Sequence, residues 1–235
     1  MRRLNKFLVL VILLLFLLVG CRSNLLGGQA IIDWIDFVKW DGIQYEGIRS
    51  GILADEQFIG EKIGEVKFKV ADNVTNSGYK IKNGDAAFHE KGTEIYSIEG
   101  NSDLLALKDK NAINGYSVYY ARDKTDYRWH FKSVPIEKVN AIEIYKGYAP
   151  NSKMIMEIQD RDKLNAFLKI LSSSKENPNF IPETTKGDPT YFDIILYTGE
   201  PIAYQFDMQF DGKTYFWHPW DTSILSNEIE AFIPN

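Results

Sequence analysis

The amino-acid sequence predicts an α+β protein of two small units, mostly antiparallel sheet, the second running β-β-α-β-β-β-α. Three observations predict it. Apolar and polar residues alternate in several stretches, as in Phe192, Ile194 and Leu196, which is the period of a half-buried strand. Pairs such as Asp41-Gly42 and Asp211-Gly212 separate these stretches, and tight turns of that kind join antiparallel neighbours. One stretch differs: Leu164, Phe167, Leu168 and Leu171 keep the i, i+3, i+4, i+7 spacing of an amphipathic helix. Helices segregated to one face of an antiparallel sheet define the α+β class.

The elements follow in chain order. Residues 1–20 read as a secretory signal: Arg2, Arg3 and Lys6, then an unbroken apolar run over residues 7–19, then Gly20 before Cys21. A run of 13 residues is short for a transmembrane helix, which needs ~20. Residues 21–30 read as a tether with Gly27-Gly28 inside it, and its nine residues after Cys21 reach at most ~30 Å. Residues 31–122 read as a β-rich first unit. In it Trp34, Phe37, Val38 and Trp40 precede Asp41-Gly42, and Val66, Phe68 and Val70 alternate with Lys67 and Lys69. Residues 93–98 and 116–120 are further expected strands, and residues 85–91 an expected helical turn or two, ending at Gly92.

Residues 123–128 are charged and read as a linker. The second unit, 129–235, opens near Trp129. Ile142 and Ile144 mark one strand, residues 154–158 the next, and Asp160 is placed to cap the helix. Ser172-Ser173-Ser174 and Pro178 end that helix. Three strands joined by tight turns follow, through Thr198-Gly199-Glu200-Pro201 and Asp211-Gly212. A short helix is expected over residues 227–233, with Ile229, Phe232 and Ile233 inward.

Composition bounds the function. Hydrophobic residues make up 45% and charged residues 25%, as in an ordinary globular protein. Net charge is −5, and the three cations of the leader, with no acid beside them, leave −8 on the remainder. Nucleic-acid binding needs basic clusters, so no nucleic-acid partner is expected. A single cysteine excludes an intramolecular disulfide. The sequence carries no Gly-x-Ser-x-Gly, phosphate loop, dinucleotide fingerprint or His-Glu-x-x-His. No cofactor, metal site or catalytic residue is therefore expected.

Leu18-Val19-Gly20-Cys21 resembles the lipobox of bacterial lipoproteins. The resemblance implies a diacylglycerol on the Cys21 thiol, cleavage before that residue, and a membrane anchor on the extracytoplasmic face. Two acyl chains anchor stably where one is marginal. The segment Gly92-Thr93-Glu94-Ile95-Tyr96-Ser97-Ile98-Glu99-Gly100, and broadly residues 31–121, look like lipoproteins of Bacillus-type Gram-positive bacteria that have no known activity. That resemblance brings no functional residue with it.

The expected function is non-enzymatic binding or accessory work at the cell envelope, with an envelope protein or a wall polymer as partner. One alternative is a module for wall glycan or peptide that uses Trp217, His218 and Trp220, since aromatic rings stack on sugar faces and anchor hot spots. The competing role for these rings, and for Trp34 and Trp40, is the core. The other alternative is a hydrolase that pairs His218 with Asp221 as base and orienting acid.

Overall fold

The computed structural model describes residues 32–124 and 130–234, so the leader, Cys21 and the expected tether lie outside the described residues, as does most of the charged linker. Two large sheets organise what is described. The first contains β1 (Phe37–Trp40), β2 (Ile43–Gly47), β4 (Ile59–Glu65), β5 (Phe68–Lys69), β6 (Asp85–Ala86), β7 (Glu94–Ile98), β8 (Asn101–Lys108) and β9 (Tyr116–Ala121), ordered β4-β7-β8-β9-β2-β1-β6-β5. All its neighbours are antiparallel except β5 and β6. The second contains β10 (Ala141–Lys146), β11 (Lys153–Ile158), β12 (Lys175–Glu176), β13 (Thr190–Tyr197), β14 (Ile202–Phe210), β15 (Tyr215–Trp217) and β16 (Ser223–Ile224), ordered β11-β10-β13-β14-β15-β16-β12.

The eighth strand of the second sheet comes from the first half of the chain. β3 (Gly51–Leu53) pairs with β14, setting Leu53 opposite Ile202 and Gly51 opposite Tyr204. Tyr204 also pairs with Leu196 of β13, so β3 takes the other edge of β14, the edge that β15 covers farther along. Leu53 and Ile202 then share a core with Ile98, Leu104, Ala106 and Val118 of the first sheet. Residues 34–72 and 81–235 accordingly form one compact unit.

This architecture corrects the α+β expectation: the chain is β-rich. Among the described residues one α-helix forms, α1 (Arg161–Ser172), capped as expected by the Asp160 side chain, which accepts from the Lys163 N–H. Its stripe of Leu164, Phe167, Leu168 and Leu171 is buried against Ile142, Ile144, Ile194 and Phe206 of the second sheet. Burial of each such side chain stabilises the fold by ~1.5–3 kcal/mol. The other expected helices do not form. Asp85 and Ala86 are drawn into β6 by pairing with β1 on one side and β5 on the other, and Gly92 closes a turn at φ +91°. Residues Asn227–Phe232 wind into a 3-10 helix that buries Ile229, too short a segment before Pro234 to propagate an α-helix. The order in the second half also departs from β-β-α-β-β-β-α, because β12 and β16 add two-residue strands at its edge.

Tryptophans show how the cores close. Trp40 packs on the cluster of Val38, Tyr45, Ile95 and Leu107. Its ring lies so close to Gly64 of β4 that a Cβ there would overlap it, which is why that strand position carries glycine. Trp34 sets its ring 6.0 Å from Phe37.

Candidate binding site

Strand alternation separates the two expected rings. Trp217 is the last residue of β15 and points to the face that carries α1, where it is 0% exposed. Its ring meets the edges of Phe131 and Phe206, at centroid distances of 4.9 and 5.6 Å. A ring so enclosed offers no open face on which a sugar could stack, so within the expected patch its place is behind the surface. Trp220 lies three residues farther on, after Pro219 has ended the strand, and is 66% exposed.

The exposed ring is nonetheless fixed. Trp220 stacks on His130, with centroids 3.8 Å apart and planes 19° from parallel. The Phe131 N–H donates to the Pro219 carbonyl at 3.1 Å, which ties the two segments together behind the stack. Together they form the lip of a pocket of about 420 Å³. Phe131, Val134, Ile136, Leu171 and Trp217 make its apolar wall, while Glu176, Asp221, Ser172, Ser174 and Ser223 supply acceptors and hydroxyls. The volume falls in the ordinary range for small-ligand sites, ~300–1,000 Å³.

His218 faces elsewhere. Its Nδ1–H donates to Asp207 Oδ2 at 2.6 Å, and no hydrogen bond or ion pair links it to Asp221. It belongs to a polar array on the sheet face opposite α1. There Asp193 stands across the strand pair from Asp207, and its Oδ1 accepts from Tyr191 and Gln205. Burial raises the Asp193 pKa despite those two donors. The Asp207 hydrogen bond is the main cause raising His218 above its ordinary 6.5. The third histidine, His89, closes a relay in the first sheet. The Tyr119 hydroxyl donates to Asp36 at 2.9 Å, so His89 Nε2–H must donate to the Tyr119 oxygen, at 2.7 Å. Burial lowers the His89 pKa.

The two histidines therefore couple stability to pH with opposite signs. A raised pKa stabilises the protonated fold, so the His218–Asp207 contribution is complete below pH 6.5 and is lost as pH rises through the raised value. A lowered pKa penalises protonation, so the His89 contribution is lost as pH falls below 6.5. Urea midpoints measured from pH 5 to 8 (~ordinary working range) check this. His218→Gln is expected to flatten the alkaline limb, and His89→Gln the acid limb; limbs unchanged in both variants would contradict the assignment.

A second, wider cleft of about 800 Å³ was invisible in the sequence. Its lining comes from separate segments: Asp55 and Glu56, Asn114, Asn140 and Glu143, and Tyr197, Gly199 and Glu200. Glu143 Oε2 accepts from the hydroxyls of Tyr145 and Tyr197, at 2.9 and 2.7 Å. Burial is the leading cause raising both phenol pKa values, which keeps them protonated as donors. Among the described residues no group of three or more His, Cys, Asp and Glu side chains is placed to hold a metal ion. No helix among them is long and apolar enough to cross a membrane.

Comparison with protein-family models, with curated proteins and with solved structures finds no match to this chain.

Proposed function

We propose that this protein is anchored through acyl chains on Cys21 to the outer face of the cytoplasmic membrane and binds wall glycan, without catalysis, in the pocket beneath Trp220. The observation that carries the binding reading is Trp220 itself: a large ring two-thirds exposed, yet held flat on His130 at the mouth of a pocket. A preorganised ring offers stacking without the entropy cost of ordering it on binding. The apolar face of a pyranose suits the ring, and its hydroxyls suit Glu176, Asp221 and the serines around the pocket. The anchoring reading rests on the lipobox resemblance of Leu18-Val19-Gly20-Cys21 and on the position of the one cysteine. The hydrolase reading finds less support, because His218 is paired with Asp207 and does not line this pocket.

Two measurements test the two parts. Soluble residues 22–235 should be retained by purified cell wall and released by soluble wall oligosaccharides. Absence of retention would overturn glycan binding, and retention of one envelope protein instead would replace it with an accessory role. Cys21→Ala should leave the precursor uncleaved or free the protein from membranes. Unchanged processing and unchanged membrane retention would sink the anchoring reading.

A further inference from the structure

A second exposed ring is held as firmly as Trp220. Tyr148, in the loop between β10 and β11, is 65% exposed. Its ring stacks on Tyr191 of β13, with centroids 4.1 Å apart and planes 20° from parallel. The Gly147 N–H donates to the Tyr191 carbonyl at 2.9 Å, which fastens the loop to the same residue. The Tyr191 hydroxyl donates in turn to Asp193 Oδ1 at 2.9 Å, and Asp193 is buried. Burial raises the Tyr191 pKa, so that hydroxyl remains a donor. The exposed ring thus rests on a second ring that a buried carboxylate holds in place. Strand pairing sets polar groups beside it on the same face. Gln209 stands directly opposite Tyr191, and Asp207 lies on the diagonal, a spacing of ~7–8 Å. The Gln209 side-chain amide has no hydrogen-bond partner among the described residues. Asp207 meets His218 through Oδ2, and both side chains are one-third exposed.

We propose that Tyr148 is the platform of a second glycan site, on the sheet face opposite the pocket beneath Trp220, so that the protein holds wall polymer at two points. This rests on the reading of the protein as a wall-glycan binder. The charge of the face selects the occupant. Asp193 and Asp207 stand opposite each other, and no Lys or Arg occupies the rows Tyr191–Gln209–Phe216 and Tyr145–Asp193–Asp207. A phosphate-rich polymer would meet carboxylates there. Sugar hydroxyls can donate to Asp207 and accept from Gln209, while the C–H face of the sugar lies on Tyr148. A short oligosaccharide cannot lie on both faces of one sheet, so it fills the two sites independently. Intact wall reaches both, and the second contact then gains from effective concentration.

The test uses the soluble chain, residues 22–235, which keeps every described residue. Calorimetric titration with a tetrasaccharide released from purified wall should count two sites per chain in wild type, one in Tyr148→Ala and two in Tyr148→Trp. Retention of Tyr148→Ala on intact wall should be at least ~10-fold weaker. Gln209→Ala, which leaves the ring in place, should weaken one of the two sites severalfold, and it carries the test if Tyr148→Ala fails to fold. Two sites of unchanged affinity in folded Tyr148→Ala or in Gln209→Ala would overturn the proposal alone. So would a single wild-type site that Trp220→Ala abolishes. A single wild-type site lost in Tyr148→Ala and kept in Trp220→Ala would uphold this platform and overturn the pocket. Absence of binding in wild type would overturn both this site and the glycan reading on which it rests.

Discussion

Trp220→Ala is expected to weaken wall binding about 30-fold or more, the loss of ~2 kcal/mol that marks a binding hot spot. It should leave the melting temperature nearly unchanged. Both expectations come from one geometry. The ring is 66% exposed and makes its ring contact with His130, so little core burial is lost with it. The same ring is the largest surface that a ligand at the pocket mouth would meet. Titration of soluble wall oligosaccharide against wild type and variant, beside thermal melts of both, reads the two effects separately. Undiminished affinity in a folded variant would move the binding site away from this pocket.

Trp217→Ala should do the opposite and act on the fold. Truncating a fully buried aromatic costs ~3–5 kcal/mol, through lost burial and the cavity left behind. In a chain of this size that lowers the melting temperature by roughly 6–20 °C. The cavity would open between Phe131, Phe206 and the wall of the pocket. Trp217→Phe should recover much of the loss. It keeps an aromatic body, and it removes an indole N–H that is buried without a hydrogen-bond partner. A Trp217→Ala protein as stable as wild type, by urea denaturation, would show that the ring is not the keystone its burial suggests.

The contrast between these two tryptophans marks what a linear reading can reach. Alternation along residues 202–217 assigns Trp217 to one face of a strand, and that face proved to be the one under α1. Trp220 follows a proline, outside any period, and the ring it stacks on, His130, lies ninety residues earlier in the chain. Local patterns found α1, its Asp160 cap and most of the longer strands, because each rests on interactions within a few residues. The α+β class failed where distant pairing took over. Asp85 and Ala86 became strand only because β1 and β5 flank them, and the two-residue strands β16 and β12 exist only as successive additions to the edge of β15. Both clefts were out of reach for the same reason: their linings come from several separate segments. His218 shows the limit at its sharpest. Its carboxylate partner is Asp207, brought close by the β14–β15 turn, and not the nearer Asp221.

The crossing of β3 into the second sheet bears on how such a chain matures. Leu53 meets Ile202, 149 residues later, and Ile52 meets Ala203. A chain synthesised from its N-terminus presents Ile52 and Leu53 long before β14 is made. Until then the first half holds a short apolar strand whose place is empty, and contacts of such long range form late. The second half has the converse problem, since made alone it would present the β14 edge bare, an invitation to pair with another chain. Neither half is thus equipped to finish folding by itself, and the last strands to emerge complete the first ones. A chaperone acting on this protein would find its most exposed work in that interval, with the seam still open.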